Sequence, residues 1–254
     1  MHPPEVRAEA LALVEAGLND CEISRRLGIP RRTILDWRRP PLERYVRQVV
    51  TETCPRCWQP AKPMRVTPED YAELLGFYLG DGCISDHTRT QRLRISLDTK
   101  YPGIIGSARA LLKRCFPHNP IDTIPFHDGA CVNVSVYCSH LGCLLPQHAP
   151  GMKHERRIVL EPWQRRMVDA EPWAFIRSCI WTDGCSFINR TGPYEYLSYD
   201  FTNYSKDIID LFTGACELAG ITDYRVTSYR RAWKVRINRR GSIAQMVSHV
   251  GVKS

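Results

Sequence analysis

The sequence predicts an α+β protein in which two similar halves follow a small all-helical domain. An apolar helical segment ending in Asp-Gly occurs twice, alternating polar and apolar segments follow each copy, and residues 5–39 carry three short helical patterns. The chain has 254 residues, 43% of them hydrophobic, which is enough for one large and one small domain. We expect a helical domain at residues 1–41 and a linker at residues 42–66. The first half should follow at residues 67–160 and the second at residues 161–254.

Charge and cysteine content narrow the class of protein. The 35 Lys and Arg against 27 Asp and Glu give a net charge of +8, which suits a polyanionic partner. No apolar run reaches the roughly 18 residues of a membrane span, and the N-terminus lacks the apolar stretch of a signal peptide. The eleven cysteines are odd in number and irregularly spaced, so we interpret them as reduced thiols of a cytoplasmic protein.

The N-terminal region predicts three short helices. The first covers Glu5 to Ala16, Asp20 is expected to cap the second, and the third begins after a turn at residues 28–30. This layout resembles resolvase-like helix-turn-helix modules, whose last helix enters the major groove of DNA. Ile34 and Trp37 would face inward. The side chains expected to contact phosphates or base edges are Arg31, Arg32, Thr33 and Arg38. The alternative is a small helical lid with a solvated basic face.

The linker contains Cys54-Pro55-Arg56-Cys57, a spacing that supplies half of a zinc site. A Zn²⁺ site needs four ligands, and no second Cys-x-x-Cys follows. The residues that could complete it, if the fold brings them near, are Cys138, His140 and Cys143. The alternative is a pair of free thiols.

The duplicated segment is the most informative pattern in the chain. The first copy runs from Thr67 to Gly82 and the second from Pro172 to Gly184. The aspartate near the end of each copy, Asp81 or Asp183, lies 102 positions from the other. Each copy carries small residues four positions apart, which let two helix backbones approach closely. These small residues are Gly76 and Gly80 in the first copy, and Ser178 and Thr182 in the second.

If the two helices lie side by side in parallel, Asp81 and Asp183 meet at their C-terminal ends. Two carboxylates forced together repel each other, and a divalent cation such as Mg²⁺ relieves the repulsion, since hard cations prefer oxygen ligands. The backbone carbonyls beside each aspartate, at Gly80 and Thr182, would help to hold it. We expect Gly82 and Gly184 to take the left-handed conformation that often follows a helix.

These residues resemble the two motifs of single-chain LAGLIDADG homing endonucleases. The matching stretches are Leu74–Gly82 and Ile176–Gly184. The resemblance implies two pseudo-symmetric αββαββα halves joined through the motif helices. It also implies a monomer in which Asp81 and Asp183 are the metal-binding catalytic acids, and a β-saddle that lies along the major groove of double-stranded DNA.

The segments after each motif predict the strands of this saddle. Residues 92–98 and 196–203 alternate between polar and apolar, and a helix with an Ile-Ile pair follows each. Residues 132–137 and 233–238 alternate too. The polar side chains expected to contact DNA are Arg92, Arg94, Asn133, Ser135, Arg225, Lys234, Arg236 and Asn238. The alternative for any one strand is a solvated sheet face.

The last repeated elements end in Lys153 and Lys253, each about 70 residues after its aspartate. Many members of the LAGLIDADG family carry a lysine in this region, near the active centre. Such a cation could polarise the attacking water or offset charge on the scissile phosphate. The alternative is a surface lysine that contacts the DNA backbone.

The sequence therefore predicts a metal-dependent, site-specific endonuclease of double-stranded DNA, nucleoid-associated if the source is bacterial. Two other functions remain open. Some bacterial transcription regulators pair a helix-turn-helix with a LAGLIDADG-like domain that no longer cleaves, although they typically lose the catalytic acids. An RNA-splicing maturase uses the same saddle on structured RNA.

Overall fold

The computed structural model of the chain describes residues 2–38, 66–88 and 90–253. The chain divides into two compact units, Met1–Arg65 and Val66–Ser254. Within the part of the chain described, no helix is both long and apolar enough to cross a membrane.

The N-terminal unit contains the three predicted helices, α1 (Pro4–Glu15), α2 (Asp20–Leu27) and α3 (Arg31–Arg38). Ala10, Ile23, Ile29 and Ile34 form its buried core, and Trp37 packs against it. The cap of α2 differs from the prediction. Asn19, not Asp20, accepts hydrogen bonds from the first turn, and Glu22 closes the capping box. Asp20 instead binds Arg38 at 2.8 Å.

The second unit contains two halves with the same order of elements, which confirms the predicted fold class. The first half comprises α4 (Pro68–Leu79), β1 (Gly82–Asp86), β2 (Gln91–Asp98), α5 (Pro102–Cys115), β3 (Ile121–Phe126), β4 (Cys131–Cys138) and α6 (Leu141–Leu144). After α7 (Pro162–Ala170), the second comprises α8 (Pro172–Asp183), β5 (Gly184–Thr191), β6 (Tyr194–Asn203), α9 (Lys206–Leu218), β7 (Tyr224–Tyr229), β8 (Ala232–Ile237) and α10 (Arg240–His249).

Each half forms an antiparallel four-stranded sheet. The first sheet has the order β1-β2-β4-β3 and the second β5-β6-β8-β7. On β2, Leu93, Ile95 and Leu97 are buried and alternate with more exposed polar residues, as the sequence pattern predicted. β3 contains Pro125, and it lies at the edge of its sheet, where a residue without an N–H is tolerated. Helices α5 and α9 pack on the apolar faces, so the polar faces are left open.

The two motif helices, α4 and α8, form the centre of the unit and pack against each other. Thr67 caps α4 by accepting a hydrogen bond from the N–H of Asp70, and Pro68 occupies the first helical position. α4 is buried on nearly every side, which explains its apolar residues all round.

Gly82 and Gly184 do not take the left-handed conformation that we expected. Gly184 is extended, with φ −103° and ψ 172°, and Gly82 begins β1. Glycine is required there for another reason. A Cβ on Gly82 would lie 2.4 Å from the Cα of Tyr78, and one on Gly184 would lie 2.6 Å from the Cα of Ile180. The chain enters each strand so close to the preceding helix turn that no side chain fits.

Candidate active site and nucleic-acid interface

The small residues of the motif helices mark the line of closest approach between α4 and α8. A Cβ on Gly76 would lie 2.0 Å from the Oγ of Ser178, and a Cβ on Gly80 would lie 2.1 Å from the Oγ1 of Thr182. Because 76 meets 178 and 80 meets 182, the helices run parallel and their C-terminal ends coincide.

This packing brings Asp81 and Asp183 into the same partly buried place. Burial, followed by the charge of Asp183, raises the pKa of Asp81 to about 6. Burial also raises the pKa of Asp183, although Lys153 and a hydrogen bond from Asn203 oppose the shift. The two carboxylates therefore lie where negative charge is disfavoured and a cation is attracted.

Lys153 and Lys253 reach the same centre in equivalent ways. The Nζ of Lys153 donates to the carbonyl oxygens of Tyr78, Gly80 and Gly82 at 2.6, 2.5 and 2.9 Å. The Nζ of Lys253 donates to those of Thr182 and Gly184, both at 2.9 Å. Burial lowers the pKa of Lys153 to about 8 and also lowers that of Lys253.

The hydrogen bonds of the two lysines involve the same backbone carbonyls that we expected to help hold a metal ion. Gly80 and Thr182 were predicted to help hold a metal ion, but their carbonyl oxygens accept hydrogen bonds from the two ammonium groups. The C-terminal ends of helices carry partial negative charge, so they attract a cation of either kind. The sequence placed the lysines near the aspartates but did not identify these acceptors.

The two aspartates differ in their hydrogen bonds. The Nδ2 of Asn203 donates to the Oδ2 of Asp183 at 2.7 Å. The strand pairing makes Leu97 the counterpart of Asn203 in the first half, because Ile95 pairs with Gly82 as Phe201 pairs with Gly184. Leu97 has no donor to offer Asp81. Sequence reasoning missed Asn203, although a polar residue on the apolar face of an alternating strand was a signal for it.

The polar faces of the two sheets carry most of the residues predicted to contact DNA. Arg92 and Arg94 lie on β2, Asn133 on β4 and Arg225 on β7, all with some exposure. Lys234 and Arg236 lie on β8, and both pair with Asp200 on β6, at 3.4 and 2.7 Å. The sequence reasoning did not anticipate an acid on this face.

One of the predicted contacts needs correction. Ser135 lies on the polar face but is 0% exposed, because Arg92 covers it and donates to its Oγ at 2.9 Å. In this structure it is a support for Arg92, not a residue that faces DNA. Asn238 is exposed but lies one residue beyond the end of β8.

In the N-terminal unit, Arg31 and Arg32 are exposed on α3 and Thr33 is half-buried. Arg38 is exposed but is paired with Asp20, so part of its charge is already balanced.

Cys54 and Cys57, the predicted half of a zinc site, lie outside the described residues. Of the possible further zinc ligands, the Sγ of Cys143 lies 4.0 Å from the Nδ1 of His140, and Cys138 accepts a hydrogen bond from the N–H of His140. The described segments hold no group of three or more His, Cys, Asp or Glu side chains arranged to bind a metal.

Comparison with known proteins gives one match to a family model. Residues 2–39 match the model of the Homeodomain-like domain. Homeodomains are three-helix variants of the helix-turn-helix, which agrees with the three helices of the N-terminal unit. No curated protein matches the chain.

Among solved structures, the chain is similar to the N-terminal LAGLIDADG domain of DUF199/WhiA, with 16% identity, a TM-score of 0.48, and coverage of 75% of this chain and 86% of that one. It is similar to full-length DUF199/WhiA from Thermatoga maritima, with 17% identity, a TM-score of 0.48, and coverage of 75% and 57%. It is also similar to I-DmoI in complex with DNA and Mn, with 12% identity, a TM-score of 0.48, and coverage of 72% and 97%.

Proposed function

We propose that this protein is a site-specific endonuclease that hydrolyses one phosphodiester bond in each strand of double-stranded DNA. The observation that carries the proposal is the meeting of Asp81 and Asp183 at the parallel ends of α4 and α8. Two open sheet faces with arginine and lysine side chains belong to the same unit, and such faces suit a phosphate backbone.

The residues at this centre fit a divalent cation. Asp81 and Asp183 are hard oxygen donors, and burial makes their ionised forms costly unless positive charge is near. These two carboxylates would hold the cation, which when bound supplies Lewis-acid activation of water and of the leaving oxygen.

The lysines support the same chemistry from the protein side. Lys153, with a pKa of about 8, is mainly a cation at neutral pH, and it is tied to the end of α4. Lys253 is tied in the same manner to the end of α8. Each ammonium orients the backbone beside one aspartate and adds positive charge where a scissile phosphate would bring negative charge.

The test compares cleavage and binding in the same variants. Purified protein is incubated with Mg²⁺ and a randomised DNA library, the ends produced are sequenced, and the selected site is cloned into a plasmid. Asp81→Asn and Asp183→Asn should each lower cleavage by more than about 100-fold, since loss of even an outer-shell partner of a metal costs about 10–100-fold. Binding of the same DNA should persist. Asp169→Asn, which removes an exposed acid on α7, is the matched control and should cleave normally. Cleavage by Asp81→Asn at the wild-type rate would refute the proposal.

Two observations favour a second function, that of a transcription regulator that binds DNA without cutting it. The N-terminal unit matches the Homeodomain-like domain, and the lysines already occupy the carbonyls beside both aspartates. A regulator that binds DNA through both units without cutting it would show the same features. The library experiment separates the two functions, because a regulator enriches a bound sequence and produces no ends.

A further inference from the structure

Arg236 is held to a neighbouring strand by a bidentate ion pair. It lies on β8 directly opposite Asp200 on β6. Its Nε donates to Oδ1 and its Nη2 to Oδ2 of Asp200, both at 2.7 Å. The guanidinium carbon lies 5.4 Å from the centre of the Phe187 ring on β5. Two parallel hydrogen bonds and an aromatic neighbour fix both the position and the plane of this group.

The edge of Arg236 that remains open has a defined pair of donors. A guanidinium has five N–H groups, and Asp200 takes the Nε hydrogen and one Nη2 hydrogen. Within the described residues, no acceptor is assigned to the Nη1 hydrogens, and the side chain is 38% exposed. Nη1 and Nη2 each keep a hydrogen at the end of the guanidinium, and these two hydrogens form a second fork next to the edge that Asp200 occupies.

The chemistry of that fork selects one DNA base. In the major groove, guanine presents the two acceptors N7 and O6 side by side, and bidentate arginine is the commonest specific contact to them. We infer that Arg236 reads a guanine in the part of the target contacted by the second sheet, with Asp200 as the positioning residue that aims it. This inference rests on the proposed binding of double-stranded DNA.

The first sheet lacks this arrangement. The cross-strand pair in the equivalent register is Arg94 and Ser135, so the arginine stands on the other strand and faces no carboxylate. The Nη2 of Arg94 lies 3.9 Å from the Sγ of Cys83, a weak acceptor. An arginine without a rigid carboxylate partner suits a phosphate, whose position carries no sequence information. The two sheets therefore read different sequences, and the target is not palindromic at this position.

Asp200 also holds a second cation. The Nζ of Lys234 lies 3.4 Å from its Oδ2, and the carboxylate is only 7% exposed. Arg225 on β7 faces Arg236 across the strand pair and is exposed, with no ion pair to an acid among the described residues. Arg225 is a useful comparison, because it has the same charge on the same face without the carboxylate that aims Arg236.

The experiment measures base preference by binding alone. The full chain is mixed with a randomised double-stranded DNA library without divalent cations at fixed salt, and bound sequences are counted for the wild type, Arg236→Lys, Asp200→Asn, Arg225→Gln and Arg166→Gln. Wild type should prefer guanine strongly at one position. Arg236→Lys, which keeps the charge and loses the fork, should lower that preference by roughly 5- to 100-fold and leave other positions unchanged, the range expected for one bidentate contact.

The other variants distinguish the orientation of Arg236 by Asp200 from the general effect of positive charge on DNA binding. Asp200→Asn should weaken the preference at the same position and at no other, a result that a general folding defect would not produce. Arg225→Gln should weaken binding to all sequences alike and lower the salt dependence by about one unit of slope. Arg166→Gln, an exposed arginine on α7, should match the wild type.

The outcome for the wild-type protein distinguishes failure of the proposed function from failure of this inference. Wild-type protein that binds no DNA would remove the proposed function together with this inference. Wild-type protein that binds a defined sequence, with a base preference that neither Arg236→Lys nor Asp200→Asn changes at any single position, would overturn the inference alone. Thermal denaturation of each variant checks folding. If Asp200→Asn fails to fold, Arg236→Lys still decides the question, since it retains the buried carboxylate and its cation.

Discussion

At the scale of single residues, the candidate active site is asymmetric. Asn203 supports Asp183 through a 2.7 Å hydrogen bond, whereas Leu97 stands in the equivalent place beside Asp81. A hydrogen bond to a charged group contributes about 1.5–3 kcal/mol, so the two carboxylates are not equally stabilised in their ionised forms. Asp183 is the better oriented of the two, so the proposed nuclease is expected to cut the two DNA strands at different rates.

Asn203→Leu is expected to slow the cut that depends on Asp183 by roughly 10-fold or more, from the loss of a charge-assisted hydrogen bond. Nicked plasmid should then accumulate before linear product, as followed on a gel with time. The reciprocal variant, Leu97→Asn, introduces an amide near Asp81 and is the matched comparison. Linear product formed by Asn203→Leu at the wild-type rate, without a nicked intermediate, would contradict this role.

At the scale of the elements, the close contact of α4 and α8 depends on the absence of side chains. Gly76 lies against Ser178 so tightly that a methyl group has no room. Gly106 on α5, by contrast, has nothing within 4 Å of the place where a Cβ would lie. The two helical glycines therefore predict opposite effects of the same substitution.

Gly76→Ala is expected to lower the free energy of unfolding by about 1–3 kcal/mol, because overpacking outweighs the helix propensity of alanine. Gly106→Ala should raise it by about 0.5–1 kcal/mol, since only the propensity changes. Adding Ser178→Gly to Gly76→Ala should recover part of the loss. Urea denaturation measures all three. A neutral Gly76→Ala would show that the helices can separate without cost.

At the scale of the whole molecule, a buried ion pair joins the two halves of the second unit. Glu73 on α4 is 4% exposed, and its carboxylate lies 3.1 Å from Arg177 on α8 and 3.8 Å from Arg114 on α5. Burial nevertheless raises the pKa of Glu73, because desolvation of the carboxylate outweighs the attraction of the two arginines.

The sign of the resulting pH dependence follows from the raised pKa. Glu73 contributes its full stability when protonated, below its pKa in the unfolded chain, and this contribution is lost as pH rises through the higher pKa of the fold. The stability of the wild type relative to Glu73→Gln should therefore fall as the pH rises above the ordinary pKa of a glutamate carboxyl, because burial raises the pKa of Glu73. Urea denaturation at a series of pH values measures the difference. A stability difference for Glu73→Gln that rises with pH would disprove the assignment.

The sequence by itself determined the architecture. Alternating residues at 92–98 and 196–203 predicted strands, and the repeated Asp-Gly helices predicted two halves joined side by side, because these are local periodicities that one fold satisfies together. Short segments without a clear period were not located along the sequence, although the expected αββαββα halves require most of them. These are β1, β3, β5, α6, α7 and α10, whose conformations depend on what they pack against.

The tertiary structure alone decided how the site residues are used. In the folded chain, the two lysines form hydrogen bonds with backbone carbonyls at the ends of α4 and α8. Asn203 donates a hydrogen bond to Asp183, and Arg236 donates one to Asp200. The tertiary structure also covered Ser135 and gave Gly82 and Gly184 a steric role in place of the left-handed one expected. These pairings join residues far apart in the chain, and strand register together with helix contact sets them. A local sequence pattern shows which face a side chain occupies, but not which neighbour it meets there.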